Sequence, residues 1–236
     1  MKTVLTMFIS LVLCWSTTAF AVKYSADLFE MKSNFSKKLF TLEIEDTESA
    51  GTLTTSARFV DLEGKSVFEE KSVSKDAELI TDEIKQLQTG ETGKIWVQDQ
   101  VIHFEYEKNG KKKSSTEKLV RPFVTTANFT AFVQKNWSEV TTTSGLEMRY
   151  GVWFRLDTVG FKIFKVDEKM VGTQKWIHLR MKPSTFIIAA LVDPIELWFE
   201  QDSKKLMEFV GRANPKLKVG DTLKDLDSEV RYRYQP

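Results

Sequence analysis

Leu146-Glu147-Met148-Arg149-Tyr150-Gly151-Val152-Trp153-Phe154-Arg155 decides the reading of this chain. Leu146, Met148, Tyr150, Val152 and Phe154 fall on one side, and Glu147, Arg149, Gly151, Trp153 and Arg155 on the other. A period of two is that of a half-buried β-strand, whose successive side chains point to opposite faces. The same period extends outward in both directions. Downstream, Ile177, Leu179 and Met181 alternate with Trp176, His178 and Arg180, and Ile195, Leu197 and Phe199 with Glu196, Trp198 and Glu200. Val230, Tyr232 and Tyr234 alternate with Arg231 and Arg233. Upstream, Phe40, Leu42 and Ile44 alternate with Thr41, Glu43 and Glu45.

Turn chemistry separates these runs. Thr52–Val60 and Ser66–Val73 flank Asp61-Leu62-Glu63-Gly64-Lys65, a hairpin connection in which Gly64 can take a left-handed conformation. Lys94–Val97 and Val101–Tyr106 flank Gln98-Asp99-Gln100, and Glu107–Lys113, centred on Asn109-Gly110, reads as a solvated turn. Helical patterns are few. Asn128 is placed to cap a helix carrying Phe129, Phe132, Val133 and Trp137 on one face. Asp76–Gln88, with Leu79, Ile80, Ile84 and Leu87, fits a second helix, and Ser184–Leu191, between Pro183 and Pro194, a third. Many antiparallel strands with few helices predict a mostly β, α+β fold: a curved antiparallel sheet or open half-barrel with a few short helices. No βαβ alternation or internal repeat is present. A single β-rich domain is expected over residues 22–236, with a mild break near Arg121-Pro122.

The amino terminus has a different character. Lys2, the apolar run Val4–Trp15 and the small residues of Ala19-Phe20-Ala21 form a secretory signal over residues 1–21. Its apolar run is shorter than the roughly 20 residues a bilayer-spanning helix needs. Cleavage after Ala21 removes the only cysteine, Cys14, so the exported chain relies on a hydrophobic core and not on disulfides. It also removes Lys2, leaving 33 basic residues from 34 against 33 acidic ones. That balance excludes broad electrostatic capture of nucleic acid. A thiol-free exported protein suits a bacterial periplasm, with an extracellular space as the alternative, and no later run is long enough to span a membrane.

Catalytic patterns are sparse. His103 and His178 sit within strands, with no neighbouring group at metal-ligand spacing. There is no Gly-x-Ser-x-Gly elbow and no phosphate-binding glycine loop, and Gly64-Lys65-Ser66 lies in a hairpin turn. No metal and no cofactor are expected. Glu69-Glu70 and the pair Glu196 and Glu200 read as solvated faces. The latter two, four residues apart on one strand, stand some 13 Å apart, too far for a glycosidase pair. The aromatic load of the second half stands out. Trp153, Trp176 and Trp198 fall on the polar-alternating face beside Arg149, Arg155 and Arg180. A sheet covered on both faces has this pattern, and so does a curved sheet with a ligand in its hollow.

The strand Val192–Phe199, the polar turn Gln201–Lys204 and the returning Lys205–Gly211 resemble the exported half-barrel proteins of bacterial envelopes, among them the periplasmic lipoprotein-localisation carriers. In those carriers a strongly curved antiparallel sheet wraps helices and encloses an apolar cavity for acyl chains. The resemblance implies a non-enzymatic role in handling lipid or binding a partner. The expected function is therefore a periplasmic protein that buries an acyl chain or other amphiphile in an apolar concavity. Trp153, Trp176 and Trp198 would line it, and Arg149, Arg155 and Arg180 would meet an anionic head. A structural module of the envelope, with a filled core and a protein partner, is the alternative. A hydrolase with a non-standard site ranks last.

Overall fold

Alternation extends over almost the entire chain, and the result is one sheet. A computed structural model describes residues 20–185 and 193–234. Eight strands come first: β1 (Phe20–Glu30), β2 (Lys38–Ser49), β3 (Thr52–Val60), β4 (Ser66–Lys75), β5 (Glu78–Gln86), β6 (Glu91–Gln98), β7 (Val101–Lys108) and β8 (Lys111–Lys118). The two-residue β9 (Phe123–Val124) and the helices α1 (Phe129–Lys135) and α2 (Trp137–Val140) follow. The remaining strands are β10 (Leu146–Val152), β11 (Asp157–Val171), β12 (Gln174–Pro183), β13 (Ile195–Glu200), β14 (Leu206–Val219) and β15 (Thr222–Tyr234). In space the order is β8 to β1, then β15 back to β9, so each strand neighbours the next in sequence except β8 and β9, which form the two edges, and β1 joins β15 at the middle. Every pair is antiparallel except β9 with β10. The leader expected over residues 1–21 lies outside the described residues, except that Phe20 and Ala21 pair with Glu48 and Thr47 at the start of β1. The helix expected over Ser184–Leu191 also lies for the most part outside them.

The sheet is curved and unclosed, with its inner face on the core. Val159, Phe161 and Ile163 of β11, Ile177, Leu179 and Met181 of β12, and Leu197 and Phe199 of β13 form one apolar wall, on which Phe132, Val133 and Val140 of the two helices pack. A second cluster joins Leu28, Phe40, Leu42, Phe59 and Phe68 with Val230. Side chains bring the two ends of the sheet together. The Thr158 amide and hydroxyl donate to the Glu117 carboxylate at 3.1 and 2.6 Å, and Ser115 donates to the Leu156 carbonyl. The free edge of β8 carries Lys111, Lys112, Lys113 and Lys118, and such charges discourage pairing with another chain.

Three local expectations are corrected. Asp76–Gln88 is not a helix but a turn at Asp76-Ala77 followed by strand β5. Its inner face is Leu79, Asp82, Ile84 and Gln86, whereas Ile80 and Leu87 are exposed. The apolar spacing imitated a helix because two apolar residues face solvent and two polar ones face inward. Lys111–Lys113 belong to β8 rather than to the turn, which is confined to Asn109-Gly110, both at positive φ. Asn128 precedes α1 but makes no side-chain cap. Its amide instead ties the backbone together, accepting from the Thr125 amide at 2.7 Å and donating to the carbonyls of Ala77 at 2.9 Å and Phe123 at 3.3 Å.

Candidate functional site

The inner face of β2–β5 differs from a packed wall. Strand register lines up Tyr24, Ile44, Ala57 and Glu70 across four adjacent strands. The next line toward one rim is Asp46, Thr55, Ser72 and Asp82. Between this surface and α1 lies a groove of about 400 Å³. Its floor carries Leu42, Ile44, Leu53, Ala57 and Phe59, with Asp46, Glu48 and Thr55 among them, and its roof is Ala127, Thr130, Ala131 and Gln134. Tyr24, Tyr232 and Tyr234 stand at one end, with Tyr24 and Tyr234 stacked at 5.0 Å. At neighbouring-strand spacings of ~4.8 Å, Glu70 lies roughly 14 Å from Tyr24 across the sheet.

Two carboxyls mark the far end. Glu70 lines the groove while only 8% exposed, and Asp82 beside it is 1% exposed. Among the described residues, neither Asp82 oxygen has a hydrogen-bond partner, nor do the hydroxyls of Thr81 and Thr125. Burial raises Glu70 well above the usual carboxylate range, and the charge of Asp82 adds to the rise. Burial likewise pushes Asp82 up to about 7, although Thr125 and Glu70 restrain it. Charge in a low-dielectric interior is costly unless compensated, so this pair favours binding a proton or a cation. Asp46, also raised by burial, accepts from Thr55 at 2.6 Å, and Tyr150 shares a 2.7 Å hydrogen bond with Thr126 over the groove.

The structure does not bring the six expected residues together. Trp176, Trp198 and Arg180 lie on the outer face, opposite the apolar wall of β12 and β13. There Trp198 stacks on His178 at 4.4 Å, Lys169 stands about 5 Å from both tryptophan rings, and Arg180 donates to Glu196 at 2.7 Å. Arg149 donates to the Thr158 hydroxyl and carbonyl, bracing the junction of the sheet ends, and Arg155 pairs with Asp157 at an exposed turn. Trp153 leaves the alternation because β10 ends at Val152. Its ring lies on Gly93, where a Cβ would come within 2.5 Å of it, and contacts Tyr106 at 5.8 Å. It packs against the core clusters on both sides.

The histidine reading also changes. His178 has partners: Nδ1 is 3.1 Å from Asp167 and Nε2 2.7 Å from Glu196. With both ring nitrogens engaged, it offers no free one to a substrate, which removes it as a general base in this arrangement. Glu200 is not solvated but buried, accepting the amides of Asp202 and Ser203 at 3.0 and 2.6 Å in the β13–β14 turn. No group of three His, Cys, Asp or Glu among the described residues is placed to hold a metal. A hollow of about 840 Å³ on the outer face is lined by charges such as Arg58, which reaches Glu43 at 2.5 Å, and is a solvated ion-pair surface. Alternation in β4 already places Glu70 with Phe68 and apart from Glu69. Asp82 was hidden by the helical reading of its segment.

No known protein family and no curated protein matches the chain. Among solved structures, an outer membrane lipoprotein-sorting protein domain from Vibrio parahaemolyticus is similar over 92% of this chain and 85% of that one. The identity is 8% and the TM-score 0.25, so the site must be read from its own geometry.

Proposed function

We propose that this chain is an exported, non-enzymatic binding protein that holds an amphiphile in the groove between α1 and the inner face of β2–β4. The supporting observation is the groove itself: an unfilled space of about 400 Å³ over a floor that mixes apolar residues with a few polar ones, in a sheet whose opposite wall is closely packed. Small-molecule sites occupy about 300–1,000 Å³ and combine apolar lining with a few polar groups. Each methylene buried there contributes about 0.8 kcal/mol before the cost of ordering the chain. Ala127 and Ala131 keep the roof of the groove low enough in side-chain volume to leave that space.

The test is native mass spectrometry of the protein purified gently from the compartment to which it is exported, followed by organic extraction. The expected result is an added mass that disappears on extraction, together with uptake of an environment-sensitive alkyl fluorophore that Ala131→Trp blocks. Bare mass and no uptake would overturn the proposal in favour of an envelope interaction module. No helix among the described residues is long and apolar enough to cross a membrane.

A further inference from the structure

The charged groups at the carboxylate end of the groove are two buried acids, Glu70 and Asp82, with no cation beside them. Glu70 is nine-tenths buried, opens onto the groove, and faces a second buried carboxyl, that of Asp82, with which it can share a proton. Asp82 stands beside it, its oxygens short of a well-formed hydrogen bond although the Thr125 hydroxyl and Glu70 are close enough to favour its charged form. An unpaired buried carboxylate is among the costlier features a fold can carry. The cations that line the groove are elsewhere. Lys23 reaches out to Glu45 at 3.4 Å, and Lys205 sits over the ring of Tyr234 at 4.8 Å, at the tyrosine end. The arginines expected to meet an anionic head are committed to Thr158, Asp157 and Glu196.

Resting on the binding reading above, we infer that the groove selects an amphiphile whose head is a protonated amine, with the ammonium donating to Glu70 and Asp82 supplying a second charge behind it. The alkyl chain then runs over Ala57 and Ile44 toward Tyr24. An ammonium brings three donors and a positive charge to a place with surplus acceptors. A fatty acid would add a third carboxylate to two buried ones, and an alcohol would satisfy one acceptor without neutralising the site.

The experiment compares decylammonium, decanol and decanoate as competitors of the alkyl fluorophore on the exported full chain, below their micellar range and at mildly alkaline pH. The expected order is ammonium tightest, by about tenfold or more over the alcohol, with decanoate weakest. Glu70→Gln removes the difference between ammonium and alcohol. Equal affinity for ammonium and alcohol would overturn the inference and leave the pair holding a proton only, and preference for decanoate would overturn it outright. Both results leave the binding reading standing. Failure of all three competitors to bind would sink that reading together with the inference. The ranking on the unsubstituted protein decides by itself, so the test survives poor folding of the variant.

Discussion

The inner face of β11–β13 and that of β2–β5 belong to one sheet but follow different rules. On β11–β13 every inward residue from Val159 to Ile163, from Ile177 to Met181 and at Leu197 and Phe199 is apolar, and the helices close over them. On β2–β5 the inward lines mix Leu42, Phe59 and Phe68 with Asp46, Glu70, Ser72, Asp82 and Gln86. The two faces differ in burial as well as chemistry, since Ile44, Asp46, Leu53, Thr55 and Ala57 on β2 and β3 are only partly buried. The first wall is explained by packing alone, since removing its apolar surface from water stabilises the fold. The second keeps groups that packing would have replaced. A fold that buries two adjacent carboxyls without a cation is carrying a cost, and such groups concentrate where a ligand is bound.

Truncation gives the largest contrast. Leu179, fully buried on the apolar wall, becomes a cavity in Leu179→Ala, with an expected loss of about 2–5 kcal/mol in urea unfolding. A loss well below that range would mean that this wall is as loosely packed as the other, and the comparison would fail.

The opposite sign is expected on the other wall. Asp82 is held above its usual value of 3.8, at about 7 in the folded chain, whereas the unfolded chain restores the usual value. Between those limits the folded state binds more protons, so stability falls as pH rises through the window. Below it both states are protonated and the penalty is absent. Asp82→Asn therefore stabilises the protein by on the order of 2 kcal/mol at mildly alkaline pH and by little near pH ~4. Unfolding free energies of both proteins at the two pH values check this. A gain that does not depend on pH would show that Asp82 is not the burdened group.

Strand alternation makes the apolar wall legible at once, because Ile177, Leu179 and Met181 can only face one way. The outer tryptophans were legible by position but not by role. Trp176 and Trp198 are on the face predicted for them, yet that face is covered by ion pairs and stacked rings such as His178 on Trp198. The groove's acidic end was not legible. Asp82 and Gln86 face inward against their polarity, and Ile80 and Leu87 face outward, so the pattern in β5 points to the wrong period. Trp153 escaped for another reason: its place depends on Gly93, sixty residues away, whose missing Cβ leaves room for the ring. A polar wall breaks the very pattern used to find strands, so a site built on one is the part of the fold the sequence shows least.

The two halves of the sheet that carry these walls also meet across its ends, through β8 and β11, and that junction is the smallest effect of the set. Glu117 on β8 receives the Thr158 amide and hydroxyl from β11, while Arg149 on β10 donates to the same hydroxyl at 2.9 Å. Among the described residues no backbone ladder joins β8 to these strands, so side chains carry the connection. Glu117→Gln keeps the size but loses charge-assisted acceptance, for an expected cost of about 1 kcal/mol. The loss is local. Amide exchange should quicken at Thr158 and along β8, with the amides of β12 and β13 unchanged. If exchange instead rose equally on both walls, the sheet would open as one unit. The packed wall and the polar wall would then share a single stability, and the groove could not admit a ligand without loosening the core.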